Sequence, residues 1–292
     1  MKTNYILIIL AVVLSACSSN EDRSDAYGNF EVDDVIISAE ANGKLMMLNI
    51  QEGQRLNNGK LVAAIDTTDL VLKRKQLKAQ KTASASKLTN INSQIDVQEQ
   101  QKANLTVDKN RVEKMLKDGA ATQKQLDDIN GNLDLIDKQI SSIKTQKSAI
   151  LAELDAIDAQ VDQVNASIEK CQIINPITGV VLDKYAEPGE ITAFGKPIYK
   201  IANTDEMYLR VYVSGAQLPN IKLGQEVQVL IDKDTETDQS LPGQVSWISE
   251  TAEFTPKIIQ TKEERVNLVY AVKIRVSNDG RLKIGMPGEV NF

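Results

Sequence analysis

Between Leu126 and Cys171 the apolar residues fall at Leu126, Ile129, Leu133, Ile136, Ile140, Ile143, Ile150, Leu154, Ile157, Val161, Val164, Ile168 and Cys171, with Lys147 the one polar member of the series. The steps alternate three and four residues without a break, the a/d spacing of a coiled-coil seam and not the period of two that a strand requires. Upstream, Leu70, Leu77, Leu88, Ile91, Ile95, Leu105, Val112 and Leu116 keep the same register more loosely, interrupted by Ser84, Gln98, Lys102 and Lys109. Each stretch is about 50 residues, which predicts two helices roughly 75 Å long that fold back on one another. The turn lies at Asp118-Gly119-Ala120-Ala121-Thr122. Gly119 suits the left-handed residue that ends a helix, and Thr122 with Gln125 three residues on forms a capping box for the next. Gly131 weakens the second helix slightly. Cys171 falls on the seam, where a thiol is a small apolar core group.

The flanks of this hairpin carry a repeat. Gly43, Gly53 and Gly59 upstream match Gly179, Gly189 and Gly195 downstream, each pair 136 residues apart. Asn42-Gly43-Lys44-Leu45 and Thr178-Gly179-Val180-Val181 each open a β-like run; Glu52-Gly53-Gln54 and Pro188-Gly189-Glu190 read as tight turns; Gly59-Lys60-Leu61 aligns with Gly195-Lys196-Pro197, and Ile65 with Ile201. A β unit of about 30 residues cannot bury its apolar face alone, so two copies are expected to meet as one small sandwich. The hairpin then leaves the sandwich between its halves.

At the N-terminus Lys2 precedes an apolar run, Tyr5 to Leu14, too short to span a bilayer and suited to the apolar core of a secretory signal. It ends in Leu14-Ser15-Ala16-Cys17, after which Ser18 to Gly28 is polar and tether-like.

Composition narrows the function. The net charge is −6, which argues against nucleic-acid binding, and the chain has no histidine, which excludes a Ser-His-Asp triad and His-ligated metal sites. Two cysteines are too few for a thiolate zinc site. Neither a phosphate-binding nor a dinucleotide-binding glycine loop is present, so no enzyme, cofactor or metal role is expected. Asp33-Asp34 and Asp127-Asp128 read as solvated charge and not as a catalytic dyad. From Glu31 to Lys184 there is no aromatic residue and before Pro176 no proline, a composition that suits a long helical stalk better than an aromatic-lined pocket.

Two half-motifs of biotinyl/lipoyl type split by a coiled-coil hairpin resemble the HlyD/AcrA-type membrane fusion proteins, the periplasmic adaptors of tripartite exporters. Asn175-Pro176-Ile177-Thr178-Gly179-Val180-Val181 is similar to the start of that family's second half-motif, and Leu14-Ser15-Ala16-Cys17 resembles a bacterial lipobox, in which the cysteine is acylated and becomes the first mature residue. Val211 to Asp232, Gly243 to Ser249, Ala252-Glu253-Phe254-Thr255-Pro256-Lys257, Leu268 to Val276 and Gly285-Met286-Pro287-Gly288-Glu289-Val290 resemble its β-barrel domain, with the Phe-Thr-Pro-Lys and Leu-Val-Tyr segments closest to adaptors of ABC-type exporters. The resemblance implies an elongated α+β protein: signal peptide at 1–16, lipidated tether and first strand at 17–34, lipoyl half-motif at 35–66, coiled-coil α-hairpin at 67–172, second half-motif at 173–203, and β-barrel at 204–292. A membrane-proximal domain is expected to be absent, or reduced to Tyr27–Asp34 pairing with the C-terminus.

The same resemblance implies a site at the hairpin tip. Adaptors that dock on a TolC-like outer-membrane channel carry Arg, an apolar residue four on, and Ser eleven from the Arg; here Arg111, Met115 and Thr122 hold those positions around Gly119. Arg bonds carbonyls or carboxylates on a partner, and Met fills an apolar groove. The expected partners are an inner-membrane transporter (ABC-type, with a proton-driven pump as the alternative), the channel, and further copies in a ring, commonly of six. Cys17 is expected to hold the chain on the periplasmic face of the inner membrane, with the outer membrane as the alternative because Ser18 follows it. The competing reading is a structural coiled-coil lipoprotein with no channel partner. A swinging-arm carrier modified at Lys184 is disfavoured, because the hairpin replaces the apex where such an arm must sit.

Overall fold

The computed structural model describes residues 24–232, 238–254 and 268–292. The expected signal peptide, Cys17 and Thr255-Pro256-Lys257 lie outside the described residues.

The chain starts as β1 (Ala26–Glu31) and crosses to a sandwich made of β2 (Asp34–Ser38), β3 (Gly43–Leu48), β4 (Arg55–Leu56) and β5 (Leu61–Ile65). It leaves through α1 (Thr68–Lys117) and α2 (Gln123–Glu169), then returns to the sandwich as β6 (Gln172–Ile174), β7 (Gly179–Lys184), β8 (Ile191–Thr192) and β9 (Pro197–Ala202). Strands β3, β4 and β5 recur as β7, β8 and β9 at the 136-residue offset of the glycines. The two copies are interlaced: one sheet runs β2-β9-β7-β4 and the other β6-β5-β3-β8, so each half lends its shortest strand to the other. The exchange is reciprocal. Gly53 N–H donates to Val181 O and Gly189 N–H to Leu45 O, at 2.8 and 2.7 Å.

Repeated geometry explains the repeated glycines. Gly53 and Gly189 have φ of 78° and 95°, and Gly59 and Gly195 both have 81°, the left-handed region open to glycine at little cost. A Cβ at Gly43 would stand 2.8 Å from Ile65 Cγ2, and one at Gly179 2.3 Å from Ala202 O, so both are places of close strand approach. The core drawn from both halves includes Leu45, Leu56, Val62, Ile65, Val181, Ile198, Tyr199 and Ile201. Cys171 lies in this core and not in the hairpin seam, because α2 has ended at Glu169 before the seam spacing reaches it. Its Sγ–H donates to Ser167 O, and burial pushes its thiol pKa up.

The hairpin is antiparallel. All seam positions of α2 are at least half-buried, with Ile136, Ile140, Ile157 and Val161 fully so. Two of the polar interruptions of α1 meet partners on α2, whereas Lys109 pairs with Glu113 on its own helix and Gln98 Oε1 is buried without a partner among the described residues. Buried Ser84 donates to Glu153 at 2.8 Å, and Lys102 reaches Asp137 at 2.5 Å. Lys81 to Asp158 extends the same register toward the base. Asp66 starts α1 by accepting from Thr68 N–H and Oγ, which holds its carboxyl below the usual range.

Beyond the sandwich, β10 (Glu206–Ser214), β11 (Glu226–Asp232), β12 (Asp238–Ile248), β13 (Glu253–Phe254), β14 (Leu268–Ser277) and β15 (Pro287–Asn291) build the second β body. The order β10-β1-β15-β11-β12-β14, with β10 also paired to β14, closes a six-stranded barrel. Strand β1 pairs with the C-terminal β15, Ala26 opposite Val290, but as a full barrel stave between β10 and β15 and not as the remnant of another domain. The barrel is therefore discontinuous in sequence, and a boundary at 204 omits one of its strands. Alternation explains its closure: Met207, Leu209, Val211 and Val213 point inward with Val227, Val229, Ile231, Ile274 and Val290.

Candidate functional site

The hairpin tip is shaped by its own backbone. Helix α1 stops at Asp118; Gly119 follows at φ 70°, with its N–H donating to Leu116 O, and Ala120 N–H donates to Met115 O at 2.7 Å. Thr122 is extended, accepts from Gln125 N–H on Oγ1, and donates its own N–H to Gln125 Oε1 at 2.8 Å. The turn is thus satisfied internally, which leaves the side chains around it free to face outward. Arg111 is one such group, with an ion pair to Asp108 at 3.3 Å on its own helix. Met115, one turn on and on the same face, is 40% exposed. The tip brings Arg111 and Met115 onto one exposed stripe and sets Thr122 across the turn from them.

Elsewhere the sequence-predicted groups are structural or solvated. Lys184 ends β7 and pairs with Glu187 at 2.6 Å. Asp34 meets Lys200, and Asp127 accepts from Gln123. Among the described residues no group of acidic, His and Cys side chains is arranged to hold a metal, and no helix is long and apolar enough to cross a membrane. An open hollow of about 990 Å³ on the barrel is lined by Glu206, Glu226, Gln244 and Arg275 together with Val227, Pro242 and Phe292, with the Arg275 guanidinium donating to Gln244. That mixed lining is more polar than the mainly apolar walls of a typical small-molecule pocket.

Three features had no usable sequence signal. Fully buried Asn175 donates to Asn57 O and Ile177 O and accepts from Tyr199 Oη at 2.9 Å. Arg55, on β4, grips Asp205 in the sandwich–barrel linker with two bonds of 2.7 and 2.6 Å, raising its own pKa and lowering that of Asp205. On the sandwich, Ile191 and Phe194 are 78% and 75% exposed, and Ile36 and Ile174 flank a groove of about 360 Å³ between edge strands β2 and β6. Large apolar side chains left this open mark a contact surface.

A long two-helix stalk inserted in a split sandwich, with a barrel beyond it and an outward-facing tip, defines a periplasmic adaptor. The chain belongs to the membrane fusion proteins: residues 33–202 match the family described as RND MFP, barrel-sandwich hybrid domain. It is 29% identical over 321 aligned residues to a UPF0194 membrane protein in the asrC 5′ region of Acidithiobacillus ferridurans, covering 98% of this chain and 93% of that one. In fold it is similar to MacA from Actinobacillus actinomycetemcomitans, at a TM-score of 0.64 and 20% identity over 91% of this chain and 76% of that one. The periplasmic adaptor protein EmrA is similar at a TM-score of 0.50 and 16% identity, over 92% and 97% of the two chains.

Proposed function

We propose that this protein links an inner-membrane exporter, of the ABC type, to a TolC-like outer-membrane channel. In this reading Cys17 is lipidated and holds the chain on the periplasmic face of the inner membrane. Copies pack side by side in a ring, of six by family analogy, and the hairpin tips dock on the channel through Arg111, Met115, Gly119 and Thr122. The protein binds and conducts; the pump supplies the work.

The observation that carries this reading is the tip. A stalk of two helices of 50 and 47 residues holds a turn roughly 70 Å from the sandwich, and the last turns of α1 beside it present an exposed cation and a partly exposed thioether. The exposed Ile191, Phe194, Ile36 and Ile174 support packing between copies at the sandwich. The ABC assignment rests on the tail segments Phe254-Thr255-Pro256-Lys257 and Leu268-Val269-Tyr270.

The test is photo-crosslinking from position 115 in the native envelope, with mass spectrometry of the adducts. Adducts to an outer-membrane channel protein are expected. Adducts to its own copies alone, in cells shown to express the channel, would overturn tip docking and leave a structural lipoprotein. Crosslinks from the barrel identify the pump, and capture of a proton-driven transporter would replace the ABC assignment.

A further inference from the structure

The barrel has two unlike ends. One faces the sandwich, through the linkers at 31–34 and 202–206 and the bond from Asn278 N–H to Asp205 O. The register fixes what lies at the other. Val269 opposite Ser214 puts the start of β14 there with the end of β10, and Ile248 opposite Val272 brings the end of β12 beside them. Asp25 N–H donates to Val290 O, and Gln217 Nε2 donates to Asp25 O at 2.8 Å, so the first described residues and the loop after β10 share that end.

This far end is also where the barrel leaves apolar groups open. Leu223, in the loop between β10 and β11 and next to Lys222, is 70% exposed. Leu268, the first residue of β14, is 55% exposed, and Trp247, next to the last residue of β12, is 41% exposed. An exposed tryptophan near two exposed leucines and a lysine suits a surface that is apolar beneath and charged on top, where an indole keeps its N–H among polar groups while its ring is buried.

The chain itself limits what can lie opposite. Cys17 and Ser24 are seven residue steps apart. Fully extended, those steps reach at most about 25 Å. Strand β10 alone, with 9 residues, is roughly 30 Å long. The far end of the barrel, where Ser24 sits, therefore stays within about 25 Å of a bilayer that holds a lipidated Cys17, less than the length of one of its strands.

We propose that the far rim of the barrel rests directly on the lipid surface that holds the Cys17 acyl chains, with Leu223, Leu268 and Trp247 entering the headgroup layer. The proposal builds on the lipid-anchor reading given above. It makes the barrel a foot that sets the stalk upright, so that the short tether fixes tilt as well as location.

Trp247 is the only tryptophan in the chain and serves as a native probe. The mature full-length lipoprotein is incorporated in 3:1 phosphatidylethanolamine/phosphatidylglycerol vesicles and compared with the unlipidated Cys17→Ser protein in buffer. The expected result is blue-shifted Trp247 emission, quenching by lipids brominated high on the acyl chain, and an acrylamide quenching constant lowered at least twofold. A second probe, Leu223→Trp in a Trp247→Phe background, is expected to behave the same way. Ile284→Trp in that background, in the loop before β15 at the sandwich end, is expected to stay as accessible to acrylamide as in buffer. If the lipoprotein floats with vesicles and carries an acylated N-terminus, but both rim probes remain fully accessible, rim docking is overturned and the anchor stands. If it neither floats nor carries acyl mass, the anchor reading fails and takes the docking with it.

Discussion

Asn175 shows how much one buried amide can organise. It has no exposure, yet its amide hydrogens bind two carbonyls from different segments and its oxygen takes the Tyr199 hydroxyl. Asn175→Ala strands those groups in the core and is expected to cost roughly 2–4 kcal/mol, read as a lower denaturant midpoint at unchanged slope. Burial pushes the Tyr199 hydroxyl pKa up to about 12. Because the folded state holds this proton more tightly than the unfolded chain, the stability it contributes is complete below about pH 10 and is lost as pH rises from there toward 12, a fall of roughly 2–3 kcal/mol. Tyr199→Phe should lower stability at neutral pH and flatten that alkaline decline; an unchanged decline would put its cause in another group. Glycines separate in the same way. Gly179→Ala forces a Cβ against Ala202 O, whereas Gly53→Ala meets nothing within 4 Å and suffers only from its positive φ. Gly179→Ala is therefore expected to be clearly the more damaging of the two in thermal unfolding.

At the scale of elements, the hairpin is held unevenly. Near its base Leu77, Ile157 and Val161 form a closed apolar cluster. Ile157→Ala there is expected to cost about 2–5 kcal/mol, lowering the helical melting transition. Farther out, Lys147 occupies a seam position and is half-buried where neighbouring heptads use isoleucine or leucine. Lys147→Leu should raise the helical melting temperature, since an apolar residue at a seam position adds burial that the ammonium cannot. The sandwich–barrel linker carries its own pH response. Arg55 holds the Asp205 carboxyl below its ordinary range, so this contact contributes above the ordinary carboxylate pKa and is lost as pH falls through the depressed value. Protection factors for amide exchange in residues 202–206 should therefore fall in acid, relative to the intrinsic rate at each pH, and Asp205→Asn should show the lowered protection already at neutral pH.

For the whole molecule, function depends on surfaces that one copy leaves open. Ile191, the first residue of β8, and Phe194, in the turn after it, project from the sandwich with most of their area in water. If copies pack there, the double variant Ile191→Ser, Phe194→Ser should shift sedimentation toward monomer without lowering the unfolding temperature. An unchanged assembly would move the contact to another face. In the proposed assembly the tip, the sandwich edges and the barrel rim are three separate surfaces, one for each partner.

The hairpin and the split repeat were legible because both are periodic. Heptad spacing needs only neighbours on the same helix, and Gly53 and Gly189 answer a local demand for positive φ. The capping box at Thr122 is local in the same sense. What tertiary structure alone decided is whatever joins residues far apart in the chain. It interlaced the half-motifs through strands of two residues, too short to show a period. It made β1 a stave of a barrel whose other strands begin 175 residues later, because closing the sheet removes an open edge that sequence cannot show. It carried Cys171 out of the seam into the sandwich, and it joined Arg55 to Asp205 and Asn175 to Tyr199. Those partners are chosen by which surfaces meet on folding, and no spacing along the chain records that.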